Sequence, residues 1–244
     1  VNHNSFIVKN LAPQPIYKYV QVNFCYDVTI EYINFDEILM LDWSQIDTVL
    51  LDMDGTLLDL HFDNHFWLEL IPAKLAQKNN ISFEEAKADL AARYEAVAGN
   101  IQWYCLDYWQ KELSLPIVEL KREIQDLIAI RKDVPLFLKA LKTSGKKLIL
   151  LTNAHPDSLS LKIERTQIDS YLDEIISTHE FGVSKEHQSL WKQLEERLEF
   201  NKNRTLFIDD SLIILESAKT FGIKHLLAVA NPDSKKVTNE IRGC

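Results

Sequence analysis

Cysteine is scarce: three residues in 244, at positions 25, 105 and 244. An odd, scattered set supplies neither a disulfide framework nor the paired spacing of a zinc site. A reducing cytoplasm is the simpler setting for it. No run of about 18 apolar residues occurs, so no membrane span is expected. The first residues show no basic stretch followed by an apolar one, so no secretory leader is read there. Internal repeats and low-complexity tracts are also absent. Basic residues are in deficit: 27 Lys and Arg against 36 Asp and Glu leave a formal net charge of -9 and a pI of about 5.3. That balance argues against a nucleic-acid-binding surface. It would also repel anionic ligands at long range, so any anion site needs local cations.

What is present is enough for a sizeable core, since 46% of the residues are hydrophobic. The length fits one domain, or a core domain with a smaller insertion. Residues 1–39 differ from the rest: they hold seven of the nineteen Phe and Tyr residues, five asparagines and no glycine. They are expected to come from an upstream start, with Met40 as the true one. The alternative is a genuine arm that adds a strand, since Tyr17–Val22 and Val28–Ile30 have strand-like content.

From residue 47 strands and helices alternate. Apolar runs at Thr48–Leu51, Lys147–Leu151, Glu174–Thr178, Thr205–Ile208 and Leu226–Val229 are continuous, as in parallel strands covered on both faces. Helical patterns lie between them at Pro135–Ser144, Glu186–Leu198 and Ser211–Phe221. Residues 61–130 break the alternation and read as nearly all helix. Ser82 and Glu85 form a capping box there, and Phe83, Ala86, Leu90, Tyr94 and Val97 mark one helix face. An insertion after the Thr48–Leu51 strand hangs over the carboxyl ends of the sheet, where open α/β sheets bind ligands. It reads as a lid.

The strand ends carry the chemistry. Thr48–Leu51 runs into Asp52-Met53-Asp54-Gly55-Thr56, where glycine permits a sharp turn and the threonine hydroxyl is placed to hold it. Carboxylates in an apolar interior are costly unless paired or bound to metal. The next strands deliver Thr152 and Asn153, then Lys185 after a loop, then Asp209 and Asp210. Four acids converging on one rim raise each other's pKa unless a cation joins them. Mg²⁺ suits them: it is hard, takes oxygen ligands and keeps water positions. Lys185 suits an anionic group as a point charge. Asp210 could also serve as a helix N-cap before Ser211.

These four motifs, in this order and strand context, resemble the haloacid-dehalogenase-like phosphatase superfamily. The resemblance implies an α/β fold: a Rossmann-like core with a parallel sheet flanked by helices, and an all-helical cap inserted after the first strand. It divides the chain into an extension at 1–39, a catalytic core at 41–60 and 131–244, and a cap at 61–130. It implies Asp52 as the nucleophile that becomes an aspartyl phosphate, and Asp54 as the acid and then base, a second acid that a pure dehalogenase does not need. It further implies Thr152 and the Asn153 backbone as phosphoryl ligands, and Lys185 as the cation that offsets charge. Mg²⁺ would be held by Asp52, the Asp54 carbonyl and Asp210, with Asp209 either direct or through water.

More narrowly, LLDMDGTLLDLHFDNHFW (50–67), WYCLDYW (103–109), LLTNAHP (150–156), STHEFGVSK (177–185) and RTLFIDDS (204–211) look like the bacterial GMP/IMP nucleotidases. That similarity runs from about residue 41 to 235. It implies a purine nucleoside monophosphate as substrate. The chain stops at Cys244, earlier than that family's pattern, which would loosen the last strand but leave the motifs untouched. Trp103, Tyr104, Tyr108 and Trp109, read as one helical stretch, offer faces on which a base could stack. They could equally pack the cap core. Asp59, His61, Asp63 and Asn64 could contact ribose or serve as hinge and helix-start residues, Asp63 or Asn64 being an N-cap candidate. Two other readings stay open: a phosphatase for phosphosugars or phosphoglycolate, and a signalling module that accepts phosphate on Asp52. The oligomeric state is not readable.

Overall fold

The computed structural model describes residues 19–21 and 41–236. Among them six strands build one sheet: β1 (Tyr19–Gln21), β2 (Thr48–Leu51), β3 (Lys147–Thr152), β4 (Glu174–Ser177), β5 (Thr205–Asp209) and β6 (His225–Val229). Their order is β1-β6-β5-β2-β3-β4. All pairs are parallel except β1 with β6, which is antiparallel. Chain order reverses on either side of β2, so its carboxyl end faces a topological switch point, the usual ligand crevice of such sheets.

After β2 the chain leaves the sheet for a helical cap: α1 (His61–His65), a π-helical turn at Phe66–Leu70, α2 (Ile71–Asn79), α3 (Phe83–Val97), α4 (Ile101–Tyr104), α5 (Leu106–Leu113) and α6 (Ile117–Glu123). The core then resumes with α7 (Val134–Thr143), α8 (Pro156–Thr166), α9 (Gln188–Leu198) and α10 (Leu212–Phe221). None of the described helices is long and apolar enough to cross a membrane.

Side chains alternate across the sheet and so build two cores. Val49, Leu51, Leu148, Leu150, Leu206 and Ile208 face Val134, Leu138 and Leu141 of α7. Leu50, Ile149, Leu151 and Phe207 face Leu190, Trp191 and Leu194 of α9 and Leu215 of α10. Burial on both faces explains why the strands read as unbroken apolar runs. The cap has its own core of Phe66, Leu75, Leu90, Leu106, Trp109 and Leu120. Its longest helix, α3, starts with the reciprocal Ser82–Glu85 capping box.

Two chain crossings join cap to core and are stitched together. Asp59 N–H donates to the Ala129 carbonyl at 2.9 Å and Arg131 N–H to the Leu57 carbonyl at 3.1 Å. The segment after β6 fastens the same hinge, with Leu60 N–H on the Pro232 carbonyl (2.9 Å) and Asn64 Nδ2 on Asp233 (2.7 Å). Buried Arg131 donates to the carbonyls of Asn231 (2.5 Å) and Pro232 (3.2 Å). The last strand is not loose: β6 is paired on both edges, by β5 and by β1.

Several local expectations need correction. Of Tyr17–Val22, residues 19–21 form a strand, so a strand precedes β2; Val28–Ile30 and Met40 lie outside the described residues. The aromatic stretch is two helices, because Cys105 is extended (φ -85°, ψ 112°) and caps α5. Asp63 and Asn64 do not cap α1: Asp59 Oδ1 accepts the His61 amide (3.0 Å), and Asp63 is inside the helix. The Thr56 hydroxyl is buried without a hydrogen-bond partner among the described residues. The turn is held instead by Gly55 N–H on the Leu58 carbonyl and Leu58 N–H on the Met53 carbonyl, both 2.8 Å.

Gly55 has φ +89°, and a Cβ there would lie 2.7 Å from Asp210 Cγ and 2.9 Å from Pro232 Cβ. Gly55→Ala combines left-handed strain with overpacking. It is expected to cost roughly 2–4 kcal/mol of stability in chemical denaturation; an unchanged midpoint would show that the turn can relax.

Candidate active site

Parallel strands bring their carboxyl ends to one rim. Continuing the β2–β5 register one residue past the Leu51–Ile208 pair sets Asp52 beside Asp209. The Asp52 amide donates to the Ile208 carbonyl at 2.9 Å. β3 ends at buried Thr152, and Asn153 follows it. Lys185 arrives from the loop after β4, and its ammonium donates to Asp52 Oδ1 at 2.5 Å and to Asp209 Oδ2 at 2.7 Å. It is 1% exposed. Burial alone would lower its pKa, but Asp209 and Asp52 outweigh that and hold it above its ordinary value. The loop is secured from behind. Asn153 Oδ1 accepts the Lys185 amide and the Thr178 hydroxyl, each at 2.9 Å, and the Trp191 indole donates to the Lys185 carbonyl at 3.0 Å.

Asp52, Asp209 and Asp210 each offer an oxygen within 4.8 Å of the others. Three carboxylates against one ammonium leave a charge of -2. Asp52 Oδ2 is buried and has no hydrogen-bond partner among the described residues. Burial, and then Asp209, push the Asp52 carboxyl up to about 6 despite Lys185. Burial and the charges of Asp209 and Asp52 push Asp210 well above its ordinary range. An all-oxygen, doubly negative cluster fits Mg²⁺. Asp209 stands apart within it, because Oδ2 takes Lys185 and Oδ1 accepts the Ser211 amide at 2.8 Å. Asp210 is not the N-cap of α10; Ser211 occupies that position.

Asp54 belongs to a second network that sequence reasoning missed. Lys162 Nζ lies 2.7 Å from Asp54 Oδ1 and 2.6 Å from Asp63 Oδ2, and Lys121 Nζ lies 2.7 Å from Asp63 Oδ1. Both lysines are buried. Lys121 also sits over the rings of Phe66 (4.5 Å) and Phe62 (4.8 Å), a favourable placement for a desolvated cation. Burial pushes Asp54 up to about 6, with Asp63 and Asp52 adding to it and Lys162 opposing. Burial acts on Asp63 in the same sense, but Lys121 and Lys162 overcome it and hold Asp63 well below the carboxylate range. A signal did exist. Lys121 lies four residues after Ile117, and Lys162 three after Leu159, so both lysines occupy inward helix positions.

Asp52, Asp54, Asp63, Thr152, Asn153, Lys185, Asp209 and Asp210 all line one cleft of about 290 Å³ between core and cap. The cap side is aromatic, with Trp67, Tyr94, Trp103, Tyr104 and Trp109. These rings serve two ends at once. Tyr94, Trp103 and Trp109 pack edge to face, with centroids 5.0–6.3 Å apart, and still border the cleft. The Tyr104 hydroxyl donates to Glu186 at 2.7 Å. Tyr108 packs against Trp109 and is not among the cleft-lining residues.

A family described as haloacid dehalogenase-like hydrolase matches residues 46–222. The chain is 50% identical over 192 residues to the GMP/IMP nucleotidase YrfG of Escherichia coli (strain K12), across 79% of this chain and 86% of that protein. It is 24% identical over 186 residues to a phosphoglycolate phosphatase of Aquifex aeolicus, across 74% of this chain and 84% of that one. A crystal structure of a HAD phosphatase from Thermococcus onnurineus superposes with a TM-score of 0.64 at 24% identity, covering 73% and 84% of the two chains. At that identity the likeness is one of fold.

Because Asp52 and Asp210 bind protons more tightly when folded, their contribution to stability is complete below the ordinary carboxylate pKa of about 4. It is lost as pH rises through the folded values, about 6 for Asp52. Asp210→Asn is therefore expected to raise the metal-free thermal midpoint at neutral pH, by about 2–4 °C for each kcal/mol of repulsion relieved, with less gain under acid conditions. It should also remove the stabilisation that Mg²⁺ confers on the wild type. A lower metal-free midpoint, or an undiminished Mg²⁺ response, would contradict the cluster's role.

Proposed function

This chain belongs to the haloacid dehalogenase-like hydrolase family, and on that footing we propose that it hydrolyses purine 5′-nucleotides such as GMP and IMP to nucleoside and phosphate. The observation that carries the chemistry is the Lys185 ammonium held between Asp52 and Asp209 at the strand ends. The substrate class is supported by 50% identity to a GMP/IMP nucleotidase and by the aromatic cap wall. Family membership makes the chain a hydrolase, which removes the phosphate-accepting signalling module from the alternatives.

We assign the residues as follows. Lys185 pins Asp52 Oδ1, which leaves Oδ2 to attack phosphorus. The new bond joins Asp52 to the phosphoryl group, and the bond from phosphorus to the ester oxygen breaks. Asp54 gives its proton to that leaving oxygen. It then takes a proton from the water that cleaves the aspartyl phosphate, restoring the Asp52 carboxylate and releasing phosphate. Thr152 and the Asn153 amide bind phosphoryl oxygens. Asp52, Asp210 and the Asp54 carbonyl would hold Mg²⁺, which supplies positive charge against the phosphate. Asp209 stands behind, orienting Lys185. Trp103 and Tyr104 are assigned to the base; Tyr108 is not. Residues 41–60 and 131–236 are assigned to the catalytic core and 61–130 to the cap, and Tyr19–Gln21 adds the antiparallel edge strand to the core sheet. The scattered cysteines support a reducing, cytoplasmic setting.

Phosphate release from GMP, IMP, AMP, pyrimidine monophosphates, sugar phosphates and phosphoglycolate tests the reading. GMP and IMP should lead, EDTA should stop turnover, and Asp52→Asn should lower it by roughly three orders of magnitude or more. A preference for sugar phosphates or phosphoglycolate would keep the mechanism and discard the purine assignment.

Asp54→Asn is expected to lower turnover of nucleotides, whose leaving alkoxide needs a proton, by roughly 10²-fold or more. In the single-turnover phosphorylation of Asp52, p-nitrophenyl phosphate, with a leaving group that needs none, should lose far less. Equal losses on both esters would remove Asp54 as the acid.

A further inference from the structure

Away from the carboxylates, beside the cleft, a second set of metal-binding side chains meets. Cys105 Sγ and one ring nitrogen each of His155 and His179 lie within 4.8 Å of one another. They come from three places: Cys105 from the break between α4 and α5 in the cap, His155 from the N-cap of α8, and His179 from the 3-10 turn at Thr178–Phe181. The two imidazoles stand edge to face with centroids 5.0 Å apart.

Their hydrogen bonds leave the donor atoms free. His155 Nδ1 accepts the Asp157 amide at 3.3 Å, so its Nε2 remains, 3.6 Å from the Asp107 carboxylate. His179 Nε2 is buried with no hydrogen-bond partner among the described residues, an arrangement that native interiors avoid unless something completes it. Cys105 Sγ accepts only a long contact of 3.5 Å from the Tyr108 amide. Burial, and then the neighbouring His155, keep the His179 pKa below its ordinary value, which favours the neutral imidazole that metals bind.

We propose that Cys105, His155 and His179, with Asp107 at the fourth position, form a second metal site that takes Zn²⁺ and latches the cap to the core. One thiolate and two imidazoles suit a borderline-soft ion, whereas the all-oxygen cluster of Asp52, Asp209 and Asp210 suits a hard one. The two sites therefore sort ions by chemistry. Zn–S and Zn–N bonds of about 2.3 and 2.0 Å put tetrahedral donors roughly 3.3–3.5 Å apart. The three donors already lie within 4.8 Å of one another, so an ion would clamp them at or inside that separation, and Cys105 belongs to the cap while both histidines belong to the core. The thiol proton is released to solvent on binding. His155 and Tyr104, the chain neighbour of Cys105, both line the cleft, so occupancy tightens the mouth through which substrate passes. The latch's effect on turnover rests on the phosphatase reading; the metal site itself does not.

Co²⁺ added to the full chain in excess Mg²⁺ reads the site directly. A thiolate-to-Co²⁺ charge-transfer band and the intense visible bands of tetrahedral Co²⁺ are expected, bleached by one equivalent of Zn²⁺. Cys105→Ser should abolish the charge-transfer band, and His179→Gln should weaken Zn²⁺ binding by at least about tenfold. Zn²⁺ should slow wild-type hydrolysis at saturating Mg²⁺, and slow Cys105→Ser much less relative to its own Zn²⁺-free rate. No band, or a band that survives in Cys105→Ser, overturns the site. Equal Zn²⁺ inhibition of both proteins places the inhibiting ion on the carboxylates and overturns the latch. Zn²⁺ binding without slower turnover overturns the latch. Failure of the phosphatase reading would appear separately, as no hydrolysis of any ester with the Co²⁺ spectrum intact.

Discussion

One buried ammonium organises the catalytic rim. Lys185 lies between Asp52 and Asp209, and neither carboxylate could stay ionised in that interior without it. Its reach is set by the Asn153 side chain, which grips the Lys185 backbone and Thr178 together. Three strand ends are thus tied by a polar knot before any ligand arrives. The knot is incomplete in one respect, since it neutralises one of three carboxylates. The remaining two charges are what a divalent cation answers.

The second constraint is the junction between cap and core. A chain that leaves the sheet after β2 and returns at α7 must cross twice at one place. Those crossings are bonded to each other and to the segment after β6. Across this junction runs the ladder Asp54–Lys162–Asp63–Lys121, two acids and two lysines. It balances its own charge, so it needs no ion, in contrast with the carboxylate cluster beside it. The cap is therefore joined to Asp54 through Asp63 and Lys162, while its aromatic residues line the same cleft.

Much of the fold was legible because the relevant signals are local. Continuous apolar runs identified β2 to β6 to within a residue or two, since strands buried on both faces cannot alternate. Acids placed where such runs end could only lie on the rim. Legibility failed where a side chain's partner was remote or its backbone unusual. Asp210 looked like a helix cap, but Asp209 holds the Ser211 amide. Thr56 looked like the support of its turn, but backbone bonds do that work. The aromatic segment read as one helix because periodicity does not register a single extended residue at Cys105.

By itself the sequence determined strands β2 to β6, the place of the insertion and which polar residues stand at the strand ends. Each of these depends on runs of a few residues and on parallel strands sharing one carboxyl edge. Only the tertiary structure decided which charges meet. Lys121 and Lys162 reach Asp63 across 58 and 99 residues of chain, and burial turns two ordinary lysines into fixed counter-ions. Likewise three residues with no metal-site spacing, Cys105, His155 and His179, become neighbours only when the cap settles on the core. Sequence separation carries no record of that contact, because it is made by packing between two separate hydrophobic cores.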